Sequence, residues 1–583
     1  MAMTVIRYDM RATRSRILYP IAVKTTSGTK WGYINNSGAV AIRPQYEYAN
    51  PFQFDAAVVQ LNDKQGLIDR TGAYVAKPIY GYIGNFSEGR APVITGSSYR
   101  LMNEDGDLVG RKGYSYMAEM HDGRAVISES KPEGESLYGY IDRQANEVIP
   151  PVYLDAGDFA NKRAVVKVKV NEYALLQPDG KKLATYAYPY VGQPGDGYLA
   201  FRATDNGKTG YLNERGQVVI EPRFSSAMPF HGGRAIVNIA EDYTNQYGVI
   251  DQQGREVIKP GYNEIRDLGN ERFAVGNAIN EEEPFIGSVF AIFDSSGRKL
   301  TEFIYTDVGQ FHHGLASATN GNETFFIDAS GKAAQGFPRY DGSGTLTLMD
   351  DGIIQASIDQ RTLYTLRNGR VVWQPSTIIP LRSPYRVKEQ KYKPNPNYLV
   401  YYPVVEGMSD ANAAAKVNQK LRELSLVKPI DPDADLNYSY NGDFDVAWFK
   451  KDLLVLELTG YNYPFGAAHG MPTQIYSHIN VSDGSMYELK DLFKQDSDYV
   501  AILSEIVGNQ IKNDPQYDYI FPDSYTGIKA DQPFFVTEHA LHLYFEPYEI
   551  APYAAGFPTF VVPYAQIEAI LDKKGAFWRS FNG

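Results

Sequence analysis

Residues 30–52 read KWGYINNSGAVAIRPQYEYANPF, and the pattern of this stretch decides the fold because it recurs along the first two thirds of the chain. The alternation of side chains from Trp31 to Ile34 predicts a strand with large aromatic rings on one face. The segment from Asn35 to Gly38 is typical of a hairpin turn, in which glycine takes the positive φ that closes the turn. Residues 40–42 predict the returning strand, which ends at Pro44 because proline cannot donate to a β-ladder.

Further copies of this unit follow at regular intervals. The second copy reads QGLIDRTGAYVAKPIYGYIGNF over residues 65–86, and the positions equivalent to Gly32 recur every 34 to 43 residues as far as Ala291. Clear later copies begin at Tyr138, Thr209 and Tyr247, degenerate copies begin near Tyr99, Tyr173, Phe290 and Thr324, and a candidate last copy begins at Tyr364. Nine or ten copies at this spacing indicate a repeat protein.

Each copy predicts a short antiparallel meander of about three strands. The third strand follows a Phe-x-x-Gly-Arg-Ala element, which is seen at residues 86–91 and 230–235. A unit of this size is marginal in water by itself, so the copies must stack to bury their aromatic faces. Since nine or ten blades exceed the four to eight of most propellers, an open or partly closed solenoid is favoured over a closed propeller.

The composition supports a β-rich globular chain. The 583 residues include 45 Tyr, 52 Gly and 33 Pro. Aromatic residues suit pleated surfaces, while glycine and proline mark turns. The predicted fold class is mainly β: an N-terminal array of nine to ten β-meander repeats, which forms an open solenoid or a propeller-like superhelix, followed by a C-terminal α+β domain.

The repeats resemble the tryptophan-glycine (WG) repeat proteins of bacteria, and Trp31-Gly32 keeps the literal dipeptide. Most copies replace the tryptophan by Tyr, Gln, Thr or Phe, and three copies replace the glycine by Arg100, Ala174 and Ala291. The position is expected to tolerate this change because it needs only a strand residue beside a tight backbone. The resemblance covers roughly residues 24–375 and implies a binding or scaffolding surface with no catalytic residue.

After the repeats, helical patterns appear. We predict an N-terminal extension at 1–23, the repeat array at 24–375, a Pro-rich join at 376–398 and an α+β domain at 399–583. An apolar stripe predicts a helix at 410–426, capped by Ser409 or Asp410, and a second helix is predicted at 496–512. Strands are predicted at 444–449, 453–461, 474–480, 540–545 and 559–563.

The last domain carries several motifs in a fixed order: GAAHG at 466–470, Asp483-Gly484, LKDLF at 489–493, and FEPYEIAPYAAG at 545–556 before Val562-Pro563. In these motifs it resembles the domain shared by the extracellular part of RsiV-type anti-sigma factors and a segment that accompanies some peptidoglycan deacetylases. In the anti-sigma factors this domain binds host lysozyme, so the resemblance implies recognition of a protein or cell-envelope ligand. Neither the sigma-binding segment nor the deacetylase motif is found in this sequence, so neither activity is expected.

His469 is the strongest single candidate for a ligand-binding or metal-binding residue, because its small neighbours let a ligand or metal approach the imidazole. The favoured alternative is that the ring bonds a buried backbone carbonyl, since a metal site needs three or more ligands and no other histidine stands at a suitable spacing. His539 and His542 lie on a predicted strand and point to opposite faces, so they are not expected to bind metal.

Glu546 and Glu549 could serve acid–base chemistry if their carboxyl groups lay about 5 to 9.5 Å apart. The favoured interpretation is structural: the glutamates accept backbone N–H groups in an irregular loop. The candidate ligand-binding set is His469, Gly466, Gly470, Glu546, Tyr548, Glu549 and Tyr553, and no catalytic residue, metal site or cofactor is predicted.

The charge and the first residues bear on partners and location. A net charge of −12 opposes binding to phosphate backbones, so nucleic acid is not an expected partner. The absence of cysteine excludes disulfides, thiolate metal sites and cysteine nucleophiles. The apolar stretch at 17–23 is too short for a secretion signal, and no run of about 18 apolar residues predicts a membrane span. The sequence as it stands indicates a cytoplasmic protein without membrane insertion, with the cell surface or secretion as the alternative if a leader was removed.

The predicted function is that of a non-catalytic binding or scaffold protein. The array would make protein–protein or glycan contacts, and the C-terminal domain would recognise a protein or cell-envelope ligand. Two alternatives remain: a cell-wall glycan hydrolase centred on Glu546, Glu549 and His469, and a lysozyme-binding inhibitor that acts through the C-terminal domain.

Overall fold

A computed structural model describes residues 17–132, 134–242 and 244–582. The chain divides into two compact units. The repeat unit holds the residues up to Ile21 together with Trp31–Gln374, and the terminal unit holds Ala22–Lys30 together with the chain from Pro375 onward. Residues 18–23, which the sequence places in the extension, form most of the first strand of the first sheet.

In the described residues the repeats fold into ten small antiparallel sheets of three or four strands, which follow one another in chain order. The first five sheets are β1 (Leu18–Thr25), β2 (Gly28–Asn35) and β3 (Val40–Tyr46); β4 (Tyr48–Ala49), β5 (Ala56–Leu61), β6 (Lys64–Asp69) and β7 (Tyr74–Tyr80); β8 (Tyr82–Ile83), β9 (Arg90–Thr95), β10 (Ser98–Asn103) and β11 (Leu108–Tyr114); β12 (Tyr116–His121), β13 (Arg124–Ser130), β14 (Ser136–Ile141) and β15 (Glu147–Tyr153); β16 (Asp155–Ala156), β17 (Ala164–Lys169), β18 (Glu172–Leu176) and β19 (Lys182–Tyr186). The next five are β20 (Tyr190–Gly195), β21 (Tyr198–Arg202), β22 (Thr209–Asn213) and β23 (Val218–Phe224); β24 (Ser226–Ala227), β25 (Arg234–Asn238), β26 (Tyr247–Asp251) and β27 (Glu256–Tyr262); β28 (Glu264–Gly269), β29 (Arg272–Ala278) and β30 (Ser288–Asp294); β31 (Asp307–Val308), β32 (Leu315–Thr319), β33 (Glu323–Asp328) and β34 (Tyr340–Asp341); β35 (Gly344–Leu348), β36 (Ile353–Ile358), β37 (Arg361–Leu366) and β38 (Val371–Trp373).

Each sequence repeat is shared between two neighbouring sheets. In the first copy, β2 and β3 complete the first sheet, and the chain that follows begins the second sheet with β4 and β5. The Gly-Arg-Ala strand therefore pairs with the first strand of the next copy, as β9 pairs with β10. The predicted meander is present, but its boundaries in the sequence and in the structure are offset, so no copy forms a sheet without its neighbour.

The glycine of the repeat is required by a bulge in the strand beside it. In the second sheet Gln65 lies opposite Tyr80 and Leu67 lies opposite Ala76, so the returning strand carries two extra residues over Gly66. A Cβ atom on Gly66 would lie 2.7 Å from the Ala76 carbonyl oxygen, closer than side chains and backbone tolerate. Equivalent close approaches occur at Gly32, Gly139, Gly210 and Gly248.

The copy that carries Ala174 shows why some repeats can lose the glycine. There Tyr173, Ala174 and Leu175 pair in continuous register with the returning strand. No bulge lies over Ala174, and the sequence of that returning strand, KLATY, has no proline. The expected tolerance therefore holds at Ala174 and is wrong at Gly66. The bulge alone does not decide it, because the copy with Arg100 also has extra residues on its returning strand, where Tyr99 lies opposite Tyr114 and Leu101 opposite Val109.

Two recurring side chains bond sheets of the array to the sheets that follow them. The arginine of the Gly-Arg-Ala element donates from Nε to a carbonyl in the hairpin turn of the following sheet; the pairs are Arg90 with Arg143 at 2.8 Å, Arg124 with Pro178 at 2.7 Å, Arg234 with Ser295 at 2.8 Å and Arg272 with Ala329 at 2.6 Å. Three buried tyrosines donate to a carbonyl 17 residues further on: Tyr33 to Asn50, Tyr140 to Gly157 and Tyr211 to Met228.

The array closes on itself. Each of the ten sheets contacts the next. The Tyr19 ring on β1 lies 5.1 Å from the Tyr364 ring on β37, and the buried Tyr364 hydroxyl donates to the Pro20 carbonyl at 2.7 Å. The repeats therefore adopt the propeller-like arrangement, although their number favours an open solenoid.

The terminal unit is built on a seven-stranded sheet whose strands follow chain order. Its strands are β39 (Ile378–Pro380), β40 (Arg386–Asn395), β41 (Tyr398–Glu406), β42 (Tyr438–Lys450), β43 (Leu453–Pro464), β44 (Met471–Asn480) and β45 (Met486–Tyr487). The segment 376–398, predicted to be a join, thus supplies two of these strands. Only β41 and β42 are parallel, and the crossover between them contains helix α1 (Ala411–Leu424).

Apolar layers cover both faces of this sheet. Leu454, Leu456 and Leu458 face α1, where Val417 and Leu421 are fully buried. Leu453 and Val455 face the opposite side, which is covered by α2 (Tyr499–Asn513), by a small sheet of β46 (Phe534–Val536), β47 (Ala540–Tyr544) and β48 (Thr559–Pro563), and by α3 (Ala576–Phe581). Within the described residues, no helix has the length and apolarity to cross a membrane.

Residues 22–30 belong to the terminal unit, and Lys24 makes several of their contacts within it. The Lys24 ammonium lies 2.6 Å from Asp443 and 3.4 Å from Glu389, and 3.9 Å from the centre of the Phe444 ring. Thr29 donates to Asp445 at 2.7 Å.

The substitution Gly66→Ala tests the role of the bulge. The new methyl group would press on the Ala76 carbonyl and on Pro78, so we expect a loss of about 1–3 kcal/mol in the free energy of unfolding. The matched control is Gly81→Ala, where the new Cβ would meet only a methyl group at 3.7 Å. Urea unfolding followed by far-UV circular dichroism checks both variants, and equal stability of the two would contradict the bulge argument.

The substitution Tyr364→Phe tests the closure of the array. It leaves the buried Pro20 carbonyl without its donor, which costs about 1–3 kcal/mol. We expect faster amide hydrogen exchange in β1 and β37, with exchange in the terminal unit unchanged. Tyr392→Phe is the control, because the Tyr392 hydroxyl bonds to the Lys428 carbonyl at an exposed position. Unchanged exchange in β1 would show that the first and tenth sheets do not depend on this bond.

Candidate functional site

The loop between β43 and β44 carries the candidate histidine. Gly466 shapes the start of this loop with a φ of 79°, a conformation that side-chain-bearing residues rarely adopt. Gly470 ends it, and its N–H donates to the Tyr461 hydroxyl at 2.9 Å. A Cβ on Gly470 would lie 2.5 Å from the Asn462 carbonyl oxygen, so only glycine fits.

His469 is exposed and held by two hydrogen bonds. Its Nδ1 lies 3.0 Å from the Gly470 carbonyl oxygen, and its Nε2 lies 3.1 Å from the Tyr548 hydroxyl. Because a carbonyl only accepts, Nδ1 carries a proton, and in the neutral ring Nε2 then accepts from Tyr548. The ring also stacks on Tyr553 with 4.0 Å between centroids, and the Tyr553 hydroxyl donates to Gly470 at 3.0 Å.

These contacts bring four of the predicted residues together on the surface. We call His469, Gly470, Tyr548 and Tyr553, with the added Tyr461, the histidine patch. The side chains of Tyr548 and Tyr461 remain 51% and 38% exposed. The hydrogen bond of the patch between His469 and Tyr548 joins residues that are 79 positions apart in the chain. Tyr461 lies outside the sequence motifs of this domain, so the sequence did not predict it.

The two glutamates flank Tyr548 in a tight turn. One Glu549 carboxylate oxygen lies 2.6 Å from the Lys529 ammonium, and the other accepts the Glu546 N–H at 3.1 Å. Burial, and next the charge of Glu549, raise the pKa of Glu546. Among the described residues no hydrogen bond joins His469 to either glutamate, whose turn meets the histidine patch at Tyr548.

Glu546 instead lines a cavity of about 490 Å³ between the large and the small sheet. Gln474, Tyr476 and Tyr544 form part of its wall. Behind them Glu457 accepts from the Gln474 amide at 2.7 Å and from the Tyr476 hydroxyl at 3.0 Å. Burial raises the pKa of Glu457. The signal that could have revealed this residue is a lone glutamate within the apolar run LLVLEL at 453–458.

Two further histidines of this unit, His478 and His542, pack against phenylalanine rings. His478 is fully buried and stacks on Phe534 with 4.3 Å between centroids, and burial lowers its pKa to about 3, so its ring is neutral. His542 stacks on Phe535 at 4.4 Å and lies 3.1 Å from the Thr537 hydroxyl. In the part of the chain that the structure describes, no three metal-ligating side chains gather.

Comparison with known families matches both units. A model described as "WG containing repeat" matches residues 31–64, 66–99, 138–169, 210–241 and 247–276. A model described as "protein of unknown function (DUF3298)" matches residues 490–565. The second match covers α2, the small sheet and the turn that carries Glu546 to Glu549.

Two curated proteins of Bacillus subtilis (strain 168) are similar to part of the chain. The peptidoglycan-N-acetylmuramic acid deacetylase PdaC is 23% identical over 187 residues, which are 30% of this chain and 39% of PdaC. The anti-sigma-V factor RsiV is 26% identical over 200 residues, which are 32% of this chain and 68% of RsiV. The chain thus spans well under half the length of PdaC.

A solved structure of a DUF3298 family protein from Pseudomonas aeruginosa PAO1 is 18% identical and covers 35% of this chain and 98% of that chain, with a TM-score of 0.26. The matches to the two family models and to the two curated proteins agree with both resemblances noted in the sequence. The chain combines WG-containing repeats with a carboxy-terminal domain that is similar to DUF3298 proteins, RsiV and PdaC.

Proposed function

We propose that the protein is a non-catalytic binding protein whose terminal unit recognises a cell-envelope glycan or a protein that acts on it, while the repeat array makes protein contacts. The observation that carries this proposal is the histidine patch. It presents the rings of Tyr461 and Tyr548 to solvent while backbone and ring contacts hold them in place. A binding or regulatory role also agrees with the family matches.

The chemistry of the patch suits recognition. Tyrosine rings supply large contact area with few rotatable bonds, and their hydroxyl groups bond to a polar ligand at the rim. The hydrogen bond from Tyr548 to His469 and the stacking of His469 on Tyr553 reduce the freedom of these rings before binding. A surface that is ordered in advance loses less entropy when a ligand binds.

The positions of the acidic groups support a non-catalytic role. Glu549 has both carboxylate oxygens engaged, by Lys529 and by a backbone N–H. His469 has both ring nitrogens engaged, by Gly470 and Tyr548. The hydrolase alternative needs His469 and the two glutamates free to act on one substrate, and the hydrogen bonds of Glu549 and His469 to other groups support the binding role instead.

An envelope ligand is proposed because of the two relatives. PdaC is named for a deacetylase of peptidoglycan, and RsiV is named as an anti-sigma factor. If the domain of this chain recognises a comparable target, the protein works on the envelope side of the cell rather than in the cytoplasm. A location at the cell envelope is therefore part of the proposed function.

The substitution Tyr548→Ala in the full chain tests the proposal. Two probes are used: insoluble peptidoglycan sacculi in a co-sedimentation assay, and a c-type lysozyme in gel filtration. We expect the full chain to bind one of them, and we expect Tyr548→Ala to weaken that binding about tenfold or more, as a central aromatic contact does.

The matched control is Tyr519→Ala, which removes a tyrosine of similar exposure, 40%, outside the patch. Its binding should equal that of the unmodified chain. Failure of the chain to bind either probe, or equal binding by the two variants, would overturn the proposal. Release of reducing ends from the sacculi would show a glycan hydrolase instead.

A further inference from the structure

A second concave site lies in the repeat unit, where the third sheet (β8–β11) faces the fourth sheet (β12–β15). The cavity has a volume of about 530 Å³ and is open to solvent. Three tyrosines, Tyr82, Tyr99 and Tyr116, form its aromatic wall, and Glu119 and Asp158 are its acidic groups. None of the described residues that line it is a lysine or an arginine.

Exposed tyrosines recur at one place in the repeat. Tyr48, Tyr82 and Tyr116 are spaced by 34 residues, and each is the first residue of the first strand of its sheet. They are 47%, 42% and 45% exposed. Of the later sheets, the sixth also begins with a tyrosine, Tyr190, whereas four others begin with Asp155, Ser226, Glu264 and Asp307. Because sheets also form with aspartate, serine or glutamate at this place, tyrosine is not needed there for a sheet to form.

The geometry places the tyrosine faces beside carboxylates. The rings of Tyr99 and Tyr116 lie 6.0 Å apart at 60°, which leaves part of each face open. Glu119 accepts from the Asn85 amide at 3.0 Å, and Asp158 lies 3.7 Å from Nε2 of His121. Burial, and next the charge of Asp158, raise the pKa of Tyr116, which agrees with a negative potential in the cavity.

We propose that this cavity binds an arginine side chain of a partner protein. Aromatic faces attract cations, and arginine is favoured because its planar guanidinium can stack on a tyrosine ring while it donates to carboxylates. At about 530 Å³ the cavity is larger than a guanidinium group, so the neighbouring residues of the partner segment can enter with it. The proposal names the contact chemistry of the array and rests on the protein-binding role proposed for it above.

The test measures binding of a fluorescein-labelled hexa-arginine peptide to the full chain by fluorescence anisotropy. Since the chain has a net charge of −12, part of any binding is non-specific, and matched controls are essential. Tyr116→Leu and Glu119→Gln should each weaken binding about fivefold, in the range of a cation–π contact and a partly exposed ion pair. Tyr116→Phe keeps the ring and should bind as the unmodified chain does.

The control variants remove a tyrosine ring or a negative charge at positions outside the cavity. Tyr74→Leu removes an exposed tyrosine that does not line the cavity, and Asp105→Asn removes one negative charge from an exposed turn. Both should change binding less than twofold, and hexa-lysine should bind more weakly than hexa-arginine. Equal losses in cavity and control variants, or no loss in Tyr116→Leu, would overturn the proposal.

The variant Tyr548→Ala separates this proposal from the one for the terminal unit. Peptide binding to the array should be the same in Tyr548→Ala as in the unmodified chain, whatever the sacculi and lysozyme assays show. Loss of peptide binding in Tyr548→Ala would place the peptide on the histidine patch and would overturn the array site.

Discussion

A sheet of three or four short strands cannot bury its own aromatic face, and the architecture of the array follows from this constraint. The chain divides each sequence repeat between two sheets, so every sheet is completed by the neighbouring copy. Arginines of the Gly-Arg-Ala element and buried tyrosines such as Tyr33 then bond to carbonyls of the following sheet. Because the stability of each sheet depends on its neighbours, an end of the array would leave apolar surface exposed. The contact of Tyr364 with Tyr19 and Pro20 removes both ends at once.

The terminal unit buries its apolar side chains in a different way: it has one large sheet with an apolar layer on each face. This rigid sheet holds the loop before β44, and the small sheet beside it holds the turn that contains Tyr548. The histidine patch exists because these two pieces of chain meet at His469. The polar cavity next to it depends on the same arrangement, with Glu457 set among leucines on β43 and satisfied by Tyr476. The residues of the histidine patch are thus held in place by the large sheet and by the turn beside the small sheet.

Much of this architecture could be predicted from local patterns. Alternation, turn residues and proline predicted the β-units, and the stripe of Val417 and Leu421 predicted α1, which Asp410 caps as expected. The features that could not be predicted depend on distant contacts. The bulge over Gly66 is a property of strand pairing, and the closure of the array depends on how many small rotations between sheets add up. Neither the strand pairing at the bulge nor the closure of the array can be predicted from a short stretch of residues.

The sequence by itself determined that the chain is a β-repeat array followed by an α+β domain, because periodicity and turn chemistry act over a few residues. It also marked His469, Gly470, Tyr548 and Tyr553 as residues of one candidate set. Only the tertiary structure decided that these four meet, and that the array closes. The physical reason is that hydrogen bonds and ring stacking act over a few ångströms between residues far apart in the chain, so they appear only when the sheets have packed.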